Sequence, residues 1–361
     1  MDSLDSYLIA RIAFYLPSPL DAPLRAVSSR FRAILNPPVK RSPHDLMVHG
    51  AKIGCRELCI LAHTLSVDAG KEINYWVAQY AAALHNHRAI CDLLCEWYEP
   101  RSSILDGACK GGHRELCELT HNWMRANHWD IEYDRLLDEA ACGGHRAICD
   151  LIIAWVIAIG DVPSYTYLLG GAAEGGHRGL CEYARSKGVF SRAHTYDWMF
   201  YRAIHGNQLA ICELVHSWVL TDGAALDYSE HFETAAETEN REICELMHSW
   251  CLAEGKNAVI YNGIFSNAAY NNNLALCELA RTWIQDSGQT GHYMKMLEGA
   301  ADGGRLDLCI IARQWMQENG QHIPHEWLEM MTKKNNRNGI ASLAREWLLA
   351  SIRRSSSCCR E

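Results

Sequence analysis

From residue 45 onward the apolar positions fall in short helical stripes, not in alternating or continuous runs. Ile148, Cys149, Ile152, Ile153 and Trp155 make one i, i+3, i+4, i+7 stripe, with Asp150 on the opposite, polar face. A shorter apolar stretch precedes it and ends in Ala140-Ala141, and Gly143-Gly144 separates the two as a helix stop and tight turn. The pattern predicts two antiparallel helices. A pair this short cannot close a core alone, so stacking on neighbours must supply one.

The same pattern recurs. The phrase His-Arg-x-x-Cys ends at Cys91, Cys117, Cys149 and Cys181, and the same spacing places Cys at 59, 212, 244, 277 and 309; a further step of 32 reaches Ala341, just before Leu343-Ala344-Arg345-Glu346-Trp347. Counted from this anchor, Trp stands six residues after it (Trp97, Trp123, Trp155, Trp218, Trp250, Trp283, Trp315, Trp347) and Ala nine before it (Ala82 to Ala300). Tyr stands sixteen before it, at 75, 133, 165, 196, 228, 261 and 293. The residues after these Tyr (Asp134, Thr166, Asp197, Ser229, Asn262) are of the type that caps a first turn. The fold expected is an all-α solenoid of about ten stacked helix-turn-helix repeats of about 32 residues, over residues 45–352. Trp and Cys are expected in the core, and Tyr is expected between repeats.

The segment Ala-Ala-x-Gly-Gly-His-Arg-Ala-Ile-Cys at 140–149 resembles the ankyrin repeat, Ala-Ala-x-x-Gly-His-x-x-Val-Val. That resemblance implies a non-enzymatic, protein-binding solenoid with a concave recognition face. The family's Thr-Pro-Leu-His start is absent and the second helix runs on to Trp, so β-hairpin fingers remain open. Long arrays of this Cys/Trp type resemble proteins of large DNA viruses. In the ankyrin register the residue seven before the anchor ends the first helix and faces the groove. Here these are Lys110, Glu174, His205, Glu237, Tyr270 and Asp302, the expected target-binding strip, whose three acids favour a basic target segment.

Residues 1–36 differ, and six of the nine prolines fall within the first 43 residues. Leu4, Leu8, Ile12 and Leu16 form one stripe, stopped by Pro17; Leu24, Val27, Phe31 and Leu35 form another. Residues 37–44 are a Pro-rich linker. Leu16-Pro17 and Val27-Ser28-x-x-Phe31 resemble an F-box, with Phe31 where that family has Trp. The resemblance implies docking onto the adaptor subunit of a cullin-type ubiquitin ligase through Leu8, Ile12, Leu16, Pro17, Leu24, Val27 and Phe31. The alternative is a small helical cap on the array.

Composition narrows the classes. A formal charge of −9 argues against a nucleic-acid partner. Sixteen Cys in 361 residues is too sparse for a disulfide scaffold. The start of the chain lacks the n- and h-regions of a signal peptide, and Leu151 to Gly160 is too short to span a bilayer. The expectation is a monomer without membrane contact in the cytoplasm (host cytosol if viral), with the nucleus as a second location. His-x-x-x-Cys at 87/91, 113/117, 145/149 and 177/181 has zinc spacing, but later repeats keep Cys and replace His by Gln208, Asn240, Asn273 and Arg305, which points to a structural role. No nucleophile–base set and no phosphate loop stand out, so no catalytic residue, metal or cofactor is expected. Residues 353–361 are expected as a disordered tail. The functional expectation is an interaction adaptor that brings a target protein to a ubiquitin ligase; the alternative is a plain binding scaffold.

Overall fold

The computed structural model describes residues 42–99, 101–188, 192–254, 261–288, 290–333 and 339–358. The F-box-like segment 1–36, with Leu8, Ile12, Leu16, Pro17, Leu24, Val27 and Phe31, lies outside the described residues. Among the described residues the chain forms twenty α-helices and no strand, so the connections between helix pairs are loops and not hairpin fingers.

The helices fall into two compact units, divided after residue 190. In the first unit five helix pairs follow one another: α1 Pro43–Ile53 with α2 Arg56–Ala69, α3 Tyr75–Leu84 with α4 Arg88–Trp97, α5 Ser102–Gly111 with α6 Arg114–Ala126, α7 Tyr133–Cys142 with α8 Arg146–Ala158, and α9 Tyr165–Glu174 with α10 Arg178–Lys187. The second unit repeats the arrangement: α11 Arg192–His205 with α12 Leu209–Asp222, α13 Tyr228–Glu237 with α14 Arg241–Ala253, α15 Asn262–Tyr270 with α16 Leu274–Asp286, α17 Tyr293–Asp302 with α18 Leu306–Glu318, and α19 His325–Lys333 with α20 Ile340–Cys358. The nine anchor Cys and the Ala residues nine before the anchor are buried throughout. Small side chains at these sites let the two helices of a pair, and successive first helices, pack closely.

Three boundaries differ from expectation. The first helix of most repeats starts at the Tyr itself, which places Asp134, Thr166 and Ser229 inside the first turn and not at its cap. Caps are made instead by Ser42, in a capping box with Asp45, and by Asn74, Asn240 and Asn273. Because Ser42 caps α1, Pro43 and His44 of the expected linker are helical. At the other end α20 continues to Cys358, into the segment expected as a disordered tail. Between Trp347 and Cys358 the chain has Leu, Ala, Ile, Arg and four Ser but no Gly or Pro, so neither strong helix breaker ends it there.

The Gly-Gly turn has two separate causes. A Cβ on Gly143 would sit 2.1 Å from the Lys110 carbonyl oxygen of the preceding repeat, so the first Gly permits close approach of backbones. Gly144 has φ 78° and leaves room for the His177 ring of the following repeat. The left-handed conformation is kept at this position where Gly is absent, at Asn86, Asn207, Glu239 and Asn272. The turn His then bonds backwards: His113 Nε2 lies 2.9 Å from the Leu84 carbonyl and His177 Nε2 3.0 Å from the Cys142 carbonyl. These His are half-buried and bonded, in keeping with a structural role at the turn. Only the Arg is on the surface, paired with an acid four residues on, as in Arg114–Glu118 (2.8 Å) and Arg178–Glu182 (2.9 Å).

Adjacent repeats are joined by a set of rings. His63, His121, His216 and His248 stand four residues after their anchors and stack on the Trp of the next repeat (Trp97, Trp155, Trp250 and Trp283), with ring centroids 3.8–4.2 Å apart. The same His each hydrogen-bond the hydroxyl of that next repeat's Tyr (Tyr75, Tyr133, Tyr228 and Tyr261) at 2.6–3.1 Å. Where the position holds Arg, a guanidinium takes the place of the imidazole: Arg281 lies 4.5 Å over Trp315 and Arg313 4.6 Å over Trp347. The Trp side chain therefore seals the joint between repeats; Trp97, Trp123, Trp155 and Trp250 are only half-buried.

Candidate recognition face

The first helices of successive repeats lie side by side in a fixed register. Asn267 Nδ2 donates to the Glu233 carbonyl (2.9 Å) and Asn271 Nδ2 to the Glu237 carbonyl (3.0 Å). A Cβ on Gly299 would lie 2.0 Å from the Ser266 carbonyl oxygen. Residues fourteen, eleven and seven before the anchor occupy successive turns of each first helix, so they share a face and line up across repeats as a grid. In the second unit its rows are Trp198, Tyr201 and His205; Glu230, Glu233 and Glu237; Gly263, Ser266 and Tyr270; and Lys295, Glu298 and Asp302.

The expected strip divides between the units. In the second unit His205, Glu237, Tyr270 and Asp302 are all exposed, Tyr270 by 54%. In the first unit Lys110 and Glu174 are half-buried. Lys110 Nζ is held 3.2 Å from Glu139 Oε2, which also accepts from the Tyr80 hydroxyl at 3.1 Å. One turn away, between the same two helices, Arg135 lies 2.9 Å from Asp106 Oδ2, a carboxyl only 2% exposed. Burial pushes the Asp106 pKa up to about 7 against the pull of Arg135. Two charge pairs on this face of the first unit thus bridge neighbouring repeats.

The second unit has side chains on this face that the strip leaves out. Trp198 and Tyr201 are 36% and 37% exposed, with ring centroids 5.7 Å apart at 18°, and His205 meets Tyr201 edge-on at 4.5 Å. Glu230, Glu233 and Glu237 are exposed in the adjacent row. Beneath them His231 is buried, with Nε2 2.9 Å from Asp197 Oδ1; burial lowers its pKa although Asp197 opposes this. The signal for the extra residues was the i, i+3, i+7 spacing of aromatic and acidic side chains along each first helix, which a single column cannot show.

The anchor thiols are buried, and Cys117 Sγ lies 3.6 Å from Cys109 Sγ. Burial pushes Cys59, Cys149, Cys212, Cys244 and Cys277 up to about 12, so they stay protonated. Among the described residues no group of three His, Cys, Asp or Glu could hold a metal ion, and no helix is long and apolar enough to cross a membrane. Compared with known proteins, the chain matches no family model and no curated protein.

Proposed function

We propose that this chain is a non-catalytic interaction adaptor: its repeats hold a target protein, and the F-box-like segment 1–36 docks on the adaptor subunit of a cullin-type ubiquitin ligase. The observation that carries the reading is the contrast between the two units. In the first unit Lys110 pairs with Glu139 and Arg135 with Asp106 between repeats, whereas in the second Trp198, Tyr201, Tyr270 and three carboxylates stand exposed on one first-helix face. Exposed aromatic rings grouped with fixed charges are what a protein-binding surface presents. The ankyrin-like turn motif supports the same reading. Such an adaptor acts by raising the effective concentration of a target beside the ligase. Its place of action is the cytoplasm or the nucleus, where such ligases work.

The docking half is tested by mixing the purified full chain with the purified ligase adaptor subunit and measuring association by calorimetry. Association is expected for the wild type and its loss for Leu16→Ala/Pro17→Ala, with unchanged helical content. If the wild type does not associate, the plain scaffold reading replaces the ligase adaptor.

A further inference from the structure

The first-helix face of the second unit combines two features that, among the described residues, do not occur side by side on the corresponding face of the first. One is the ladder of Trp198, Tyr201 and His205 on α11. The other is the row of Glu230, Glu233 and Glu237 on α13, which packs beside α11. These three carboxylates have no cationic partner among the described residues, while Glu139 and Asp106 of the first unit are paired with Lys110 and Arg135. The Glu233 side chain reaches across Gly263 of the following repeat, since a Cβ there would come within 2.3 Å of its Cγ. That glycine leaves room for the Glu233 side chain to lie against the next first helix. The Trp198 ring already receives a cation from its own helix, with the Arg202 guanidinium 5.3 Å from the ring centroid.

We infer that this face binds a basic, lysine- or arginine-rich extended segment of the target protein, its cationic side chains lying against the Trp198–Tyr201–His205 ladder and pairing with Glu230, Glu233 and Glu237. The inference rests on the adaptor reading and names the chemistry of the target. Charge complementarity selects the occupant. Carboxylates beside partly exposed aromatic rings attract ammonium and guanidinium groups both by charge and by the ring quadrupole. A nucleic acid would be repelled by the same row. A second copy of this chain, itself carrying a net charge of −9, is a poor source of basic surface. The row spacing also fits an extended chain. Neighbouring first helices lie about 8–10 Å apart, and alternate residues of a strand about 7 Å apart, so side chains on one edge of the segment can meet successive rows.

The test uses the full chain and a fluorescent probe peptide of twelve residues with Lys or Arg at alternate positions, separated by Gly and Ser. Anisotropy titrations are run at low and physiological salt. The wild type is expected to bind this peptide and not its Glu-substituted counterpart, more weakly as salt rises. Glu230→Gln/Glu233→Gln/Glu237→Gln is expected to weaken binding about tenfold, from three exposed pairs each contributing about two- to threefold. Trp198→Ala is expected to weaken it about two- to fivefold, the scale of an exposed cation–π contact. A charge-matched control, Glu118→Gln/Asp150→Asn/Glu182→Gln, removes three acids from the second helices of the first unit and is expected to leave binding unchanged. Equal loss in the control would mean general charge attraction and overturn the proposal, as would failure of the wild type to bind the basic peptide. The adaptor reading is scored separately by the ligase-subunit association above, which uses residues 1–36; its success with a failed peptide titration would sink only the present inference.

Discussion

His121 lies flat on Trp155 of the next repeat, ring centroids 3.8 Å apart and planes 3° from parallel, while its Nε2 is 3.1 Å from the Tyr133 hydroxyl of that same repeat. One side chain thus touches both ends of its neighbour, where the first helix enters and the second leaves. In a stack held by nearest-neighbour contacts such a joint sets how strongly one repeat depends on the next. Losing the ring contact costs about 0.5–1.5 kcal/mol and losing the hydrogen bond about 1 kcal/mol. His121→Ala is therefore expected to cost about 2 kcal/mol in urea unfolding. Hydrogen exchange should rise first in residues 114–158, and protection that falls elsewhere first would place the coupling outside this joint.

Burial lowers the pKa of His63, His121 and His248, each in such a joint. Folding therefore favours neutral imidazole. The stability these His contribute is present above the unfolded-state value of about 6.5 and is lost as pH falls through it toward the lower folded value. Asp106, raised to about 7, acts with the opposite sign in an overlapping window, so the joint must be isolated by difference. His121→Phe keeps a ring over Trp155 and removes the proton site. It is expected to be less stable than wild type at pH 7.5 by about 1 kcal/mol, the lost hydrogen bond, with the gap narrowing at pH 5. A gap independent of pH would mean that His121 is not protonated on unfolding.

Trp218 is buried in α12, 6.2 Å between ring centroids from Tyr196. Trp218→Ala is expected to cost about 3–5 kcal/mol. Opening should begin around residues 196–250 while protection at both ends of the chain survives. Unchanged exchange there would put the ring outside the packed interior.

Two turn substitutions should act in opposite directions. Glu239 is held at φ 57°, a conformation that costs a side-chain-bearing residue about 1–2 kcal/mol. Glu239→Gly is expected to raise stability by up to about 1 kcal/mol after the extra freedom of glycine in the unfolded chain is deducted. Gly143→Ala drives a methyl into the Lys110 carbonyl and should lower stability by about 1–3 kcal/mol. Thermal melts of the two variants give the comparison, and a stabilised Gly143→Ala would refute the close-approach account of the first turn glycine.

The helix pairs were legible because every repeat meets the same neighbours, so Cys149, Ala140 and Trp155 recur as identical residues in identical surroundings. The joint was not legible in that way. Its position holds His121, Arg281 and Arg313 in different repeats, and flat cationic or neutral rings cover Trp equally well without sharing an identity. The six-residue strip was legible as a position but not as a site. Whether Lys110 is free depends on Glu139, which belongs to another repeat and another column. Trp198 and Tyr201 were overlooked because repeat alignment rewards sameness, and a recognition surface differs from one repeat to the next.

In the proposed adaptor the ligase contact at residues 1–36 and the target contact on the second unit are separable. The direct measurement is quantitative mass spectrometry of proteins co-purified with three full-length forms: wild type, Leu16→Ala/Pro17→Ala, and Glu230→Gln/Glu233→Gln/Glu237→Gln. The account predicts reciprocal losses: the first variant drops the ligase subunits and keeps a target bearing a basic segment, and the second keeps the ligase and drops that target. Loss of both by either variant, or of neither by both, would contradict it.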